Sequence, residues 1–259
     1  MICIIRKIAA ITFVMIFLSA FSAYADEVKV PIILYHNLLE SIDGENALVN
    51  ITPETFREHM TAIKAEGYTA ITYNDYYEYL SKGTLLPEKP IIITFDDGYL
   101  SNYEKAFPIL RELGLKATIF VVTSTVGATT NVSYPHFTWM QALEMEQSGV
   151  IKIESHSHSH LPMSQLEFGD IVREVRLSKY LIEKNLNKEC SFLAYPFGDF
   201  SDVCLKIARE AGYSLQNKVG DRGFNSKNTD NELLRRITVW GNISGGQLTD
   251  IINQNLNSQ

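Results

Sequence analysis

The chain has 259 residues, 46% hydrophobic and 20% charged, which supplies apolar material for one sizeable core and rules out a charge-dominated disordered polymer. Its formal net charge of −7, with no basic run, argues against nucleic acid or an anionic membrane surface as a partner. Proline, glycine and serine are dispersed and no internal repeat shows, so one domain without a linker is expected.

In chain order, Arg6-Lys7 precede an apolar run over 8–21 and then Ala23-Tyr24-Ala25, which has the small-x-small form of a signal-peptidase site. A signal peptide over 1–25 is expected, cleaved before Asp26, with the mature domain over 26–259 secreted or periplasmic. The run falls short of the ~20 apolar residues a membrane span needs, so no stable insertion is expected after cleavage. Apolar strand candidates follow at 30–35, 69–73, 90–95, 117–122, 151–155, 191–195, 213–216 and 237–240, several of them apolar on successive residues as doubly covered parallel strands require. Helices fill the gaps. Thr52-Pro53-Glu54 reads as a cap followed by proline at the first helical position, and Gly114 and Gly212 stand where helices should stop. The longest helix, at about 165–187, carries Ile171, Val172, Val175, Leu181 and Ile182 at near-helical spacing. Strand-helix alternation over this length predicts a parallel α/β fold, and a barrel would gather the ends of different strands around one mouth.

Two segments carry chemistry. The strand candidate at 90–95 ends in Asp96-Asp97-Gly98-Tyr99, and about sixty residues later the chain reads His156-Ser157-His158-Ser159-His160. Neutral imidazoles with one carboxylate make the ligand set of a divalent metal that keeps a position open for water, and an adjacent carboxylate is placed to take a proton from that water. Alone, an Asp-Asp pair at a strand end also serves as a turn or helix cap. On a strand the three histidines share a face, whereas on a helical turn only His156 and His160 do.

Together with Ala194-Tyr195-Pro196-Phe197-Gly198, these segments resemble, in order and spacing, the successive motifs of the polysaccharide deacetylase family, the NodB-homology carbohydrate esterases. The resemblance runs from about Val30 to about Trp240. It implies a distorted (β/α) barrel of about seven parallel strands, with 26–259 as the catalytic domain. It also implies a metal held by Asp97, His156 and His160, with Asp96 as general base. Zinc is the expected metal, with cobalt or nickel accepting the same ligands. His158 falls on an unconstrained position of the motif. Tyr195, Pro196 and Phe197 mark the substrate side, where a backbone amide near Tyr195 would help to hold the oxyanion.

Two departures stand out. Many members carry arginine where Ala194 stands, and that arginine pairs with the base; Arg236, just before the last strand candidate, is the expected substitute. The family's late Leu-x-x-His motif is missing, for no histidine follows His160. Either the protonated base returns its proton to the leaving group or another acid supplies it; His36, at the end of the first strand candidate, is the expected one, and similar Tyr-His segments occur in the exopolysaccharide branch of the family. His136 is a weaker loop candidate, and His59 is expected on a solvated helix face. The expected activity is metal-dependent removal of N-acetyl groups from an N-acetylglucosamine polysaccharide, releasing acetate. An O-acetyl esterase and a carbohydrate-binding homologue of low activity are the alternatives. Cys190 and Cys204 would remain after cleavage, either paired or as two buried thiols.

Overall fold

The computed structural model describes residues 27–42, 49–220, 223–230, 232–241 and 243–257. The expected signal peptide lies outside them. No helix among the described residues is long and apolar enough to cross a membrane.

The sheet is parallel throughout. Its strands are β1 (Ile32–Tyr35), β4 (Thr69–Ala70), β5 (Pro90–Phe95), β6 (Ala117–Val121), β7 (Ile151–Ser155), β8 (Phe192–Ala194), β9 (Leu215–Asn217), β10 (Leu233–Leu234) and β11 (Ile237–Thr238), in the order β10-β9-β8-β7-β6-β5-β1-β11 with β4 beside β5. A separate parallel pair joins β2 (Asn37–Leu38) to β3 (Asn50–Ile51). The main sheet's nine strands exceed the expected seven or so because it includes two-residue strands such as β4 and β10. Its two terminal strands are linked by Arg235-Arg236 alone. At ~3.3–3.6 Å per residue that linker cannot cross an open sheet, so the sheet must curl until its ends nearly meet.

The helices are α1 (Pro53–Ala65), α2 (Tyr73–Lys82), α3 (Phe107–Leu113), α4 (Trp139–Gln147), α5 (Phe168–Leu186), α6 (Asp202–Glu210) and α7 (Gly245–Asn257); all but α2 cover the outside. Thr52 caps α1, its hydroxyl accepting from the Thr55 amide at 3.1 Å, and Gly114 ends α3 in the left-handed conformation. One expected strand overran. Tyr73 opens α2 rather than ending a strand, because Thr72 and Asp75 form a reciprocal capping box there.

Successive residues on a strand face opposite ways, and the core divides accordingly. Ile33, Ile91, Ile93, Ile119, Ile153 and Leu193 pack outward in the cluster under the helices, while Ile32, Ile92, Phe120, Phe192 and Leu234 point into the curl. Tyr73, Tyr76 and Tyr79 of α2 share this inner cluster; the Tyr73 ring packs edge-on against Phe120, and its hydroxyl donates to Asn217 Oδ1 at 2.7 Å. Continuing the inward phase past the strand ends reaches His36, Asp96, His156 and Arg236.

His59 corrects an expectation. It is fully buried rather than solvated, set between the Tyr35 hydroxyl at Nδ1 and the Ile243 carbonyl at Nε2, where it ties α1 to the segment leading into α7. Cys190 and Cys204 are two separate buried thiols.

Candidate active site

Asp97, His156 and His160 each offer one ligand atom, and these atoms lie within 4.8 Å of one another. His160 Nε2 stands 3.2 Å from Asp97 Oδ1, and His156 Nε2 stands 3.6 Å from it. Ligands on one tetrahedral metal, bound at ~2.0–2.1 Å, sit about 3.3 Å apart, so the spacing suits a single cation. Asp97 Oδ1 is buried without an aligned hydrogen-bond donor, an orphaned acceptor that a cation would satisfy.

The protonation states agree with this use. The Nδ1–H of His156 donates to the Ala194 carbonyl at 2.8 Å, which leaves Nε2 as a lone pair facing Asp97. Burial holds the His156 imidazole below its ordinary pKa, so the ring stays neutral. Burial alone would raise the Asp97 carboxyl, but His160, His156 and His36 outweigh it and hold the group well below the usual carboxylate range.

Local backbone conformation aims these side chains. Asp97, Ser157, His160 and Phe197 all have positive φ, at 72°, 66°, 57° and 60°. Non-glycine residues rarely adopt that region, and four together mark a site where the fold sustains strain. At Asp97 it turns a side chain that follows directly on Asp96 towards the two histidines. At Phe197 it leaves the ring two-thirds exposed and tilted against His160, with centroids 4.5 Å apart.

Asp96 is fully buried and forked onto Arg236, Nη1 to Oδ1 and Nη2 to Oδ2, each at 2.7 Å. Arg236 is itself fully buried, braced by Nε donating to the Lys218 carbonyl at 3.2 Å. Burial pushes the Asp96 carboxyl up, and Arg236, with His156 and His36, more than reverses this and keeps it ionised. Its Oδ2 lies 3.6 Å from His156 Nε2, which puts the carboxylate at the edge of the ligand cluster.

His36 follows β1 on the inner face, close enough to both carboxylates to lower them. Its Nδ1 is buried without a partner, and its carbonyl accepts from Asn102 Nδ2 at 2.8 Å. Asn102 opens a π-helical turn, Asn102–Ala106, that the sequence pattern did not signal. His136 is buried beneath the site, stacked on Tyr99, with Nδ1 shared between Thr125 Oγ1 and the Asp97 carbonyl, each at 3.2 Å. Tyr195 is built into the sheet. Its ring is buried with the hydroxyl on Gln216, and its amide donates to the Asn217 carbonyl at 3.0 Å, so neither group is free for a substrate. Pro196 is buried as well, and of the three expected residues only Phe197 presents its side chain to solvent.

Residues 84–215 match the family model described as polysaccharide deacetylase. A Bacillus subtilis protein named as a polysaccharide deacetylase, YxkH, is 33% identical over 217 residues, 84% of this chain and 74% of its own length. The chain belongs to the polysaccharide deacetylase family. It is similar to a poly-beta-1,6-N-acetyl-D-glucosamine N-deacetylase of Staphylococcus epidermidis, with 26% identity over 79% of this chain and 73% of that one. The solved Streptococcus pyogenes deacetylase PplD, in complex with acetate, superposes with a TM-score of 0.78 at 29% identity, over 87% of this chain and 98% of its own. The curled parallel sheet is thus the barrel of this deacetylase family. The matched region contains Asp96, Asp97, His156 and His160 but ends before Arg236 and begins after His36.

Proposed function

We propose that this deacetylase is a metal-dependent N-deacetylase of an N-acetylglucosamine polysaccharide, exported by residues 1–25 and active outside the cytoplasm. The observation that carries the reading is the three-ligand cluster, with both histidine nitrogens 3.2–3.6 Å from Asp97 Oδ1, beside a buried, ionised carboxylate. The N-acetyl substrate is favoured by the kinship with a poly-N-acetylglucosamine N-deacetylase.

Asp97, His156 and His160 would hold the cation, with zinc the first choice and cobalt or nickel able to take its place. A divalent cation there lowers the pKa of a water molecule and polarises the acetamide carbonyl. Asp96 takes the proton as the water oxygen bonds to the carbonyl carbon. Arg236 keeps Asp96 anionic before the transfer and fixes the orientation of its carboxylate. Oxyanion donors at the 195–197 turn reduce to the Phe197 amide, since Tyr195 N–H is engaged and proline has none. Collapse breaks the C–N bond; His36 supplies the proton to the leaving amine and is recharged with the one Asp96 took from water, while the acetic acid released ionises to acetate and its proton goes to the free amine. The exposed Phe197 ring beside His160 suits stacking on a sugar face.

The test is acetate release from poly-β-1,6-N-acetylglucosamine, chitooligosaccharide and peptidoglycan, before and after chelation. Release should vanish with chelator and return with zinc. Asp96→Asn should lower it by ~10²–10⁴-fold while metal content stays at the wild-type level. Release that survives thorough metal removal would sink the proposal.

A further inference from the structure

The carboxylate of Glu174 lies on α5, outside every motif used so far. It is almost fully buried, and its Oε2 accepts from two successive main-chain amides, His158 N–H at 2.9 Å and Ser159 N–H at 2.6 Å. Burying a carboxylate costs several kcal/mol unless charge-assisted hydrogen bonds offset it, and here main-chain amides supply them. Those two amides belong to the turn between His156 and His160. Successive N–H groups converging on one point form an anion-binding concavity, and the positive φ of Ser157 and His160 is what makes this turn close in that way. Two further bonds stiffen it: Ser157 N–H donates to Ser155 Oγ at 3.2 Å, and His160 N–H to Ser157 Oγ at 3.2 Å.

His156 needs no help from Glu174 for its ring direction, since its Nδ1–H is held by the Ala194 carbonyl. His160 is different. It is partly exposed and reaches the cluster only because the chain reverses over the four residues 157–160, two of them in a conformation that unconstrained residues avoid. Among the described residues, no other side chain grips both amides at the middle of that reversal.

We propose that Glu174 is a positioning residue for the metal ligands, its buried carboxylate filling the turn over 157–160 and holding His160 at ligating distance from Asp97 before the cation arrives. The inference rests on the metal-dependent reading above and adds a residue that touches neither metal nor substrate.

The test measures zinc affinity of the purified, metal-stripped protein by competition with a chromophoric chelator, alongside its thermal midpoint. Glu174→Gln keeps the side-chain shape and one acceptor but loses the charge; zinc affinity should fall about 10-fold, and about 100-fold in Glu174→Ala, the range seen when partners of metal ligands are removed. Ile182→Val, a small cavity in the same helix, serves as the stability control and should lower the midpoint without moving zinc affinity. Wild-type affinity in Glu174→Gln, or a loss no larger than in Ile182→Val, would overturn the inference while leaving the metal reading intact. Failure of the wild-type protein to bind zinc, cobalt or nickel would overturn the metal reading and this inference with it. If Glu174→Ala does not fold, Glu174→Gln against Ile182→Val still decides.

Discussion

Asp96 and Arg236 form a buried ion pair, and removing either partner alone leaves a charge with no water to receive it. Arg236→Met should therefore destabilise the metal-free protein by ~3–5 kcal/mol, a fall of roughly 10 °C in the thermal midpoint. Adding Asp96→Asn to that variant should restore part of the loss, because the stranded carboxylate is gone; a double variant no more stable than Arg236→Met would show that the pair's charge is not what matters. Much at this scale could be read from the amino acids. Asp97, His156 and His160 announce themselves by ligand type and crowding, and the missing arginine at Ala194 directed attention to another cation. Glu174 could not be read that way, since one glutamate on an amphipathic helix has no sequence signature distinguishing a buried anchor from a solvated face. Which amide near Tyr195 is free was not legible for a related reason: pattern does not tell that the Tyr195 N–H is already spent in the sheet.

Two elements, α1 and α7, are fastened by contacts that reach from Glu58 to Gly245. A Cβ on Gly245 would lie 2.9 Å from the Ala62 Cβ and 3.0 Å from the Glu58 carbonyl oxygen, both belonging to the rigid body of α1. Gly245→Ala should cost ~1–3 kcal/mol by forcing the helices apart, visible as a lowered midpoint with site residues unaltered. The same junction responds to acid through His59. Burial lowers its pKa below the ordinary 6.5, with the Ile243 carbonyl opposing that shift only in part. The unfolded chain then binds the proton first as pH drops, so this contribution is whole above about pH 6.5 and drains away as pH falls towards the folded value. His59→Gln should flatten the decline of the midpoint between pH 7.5 and 5.5 relative to wild type; equal slopes would exonerate His59. Helix and strand identity were legible wherever apolar runs were long, as in β5 and β7. The ends were not: the capping box at Thr72 converted an expected strand end into α2, and two-residue strands such as β10 carry too little pattern to see.

Across the whole molecule, the ligand cluster bridges the end of β5 and the turn after β7, so a bound cation ties together segments about sixty residues apart in the chain. Zinc at 100 times its dissociation constant should add ~2.7 kcal/mol to stability, and the midpoint should rise with zinc concentration and fall on chelation. A midpoint indifferent to zinc would mean that the folded state binds it no better than the unfolded one. The barrel as a class was legible from strand-helix alternation together with the motifs. Its closure was not, because the two residues that join its first and last edges look like an ordinary basic pair until the strand order is known.

That closure sets a timetable. Asp96 meets Arg236 across 140 residues of sequence. A chain emerging from its amino end therefore completes the carboxylates, both histidines and most of the sheet while its buried aspartate still lacks a counter-charge. The centre becomes electrically balanced only once Arg236 has been made and the strand that follows it has docked. A chain broken between Gly198 and Arg236 would keep the three recognisable motifs and lose the guanidinium that does most to hold the buried Asp96 carboxyl ionised.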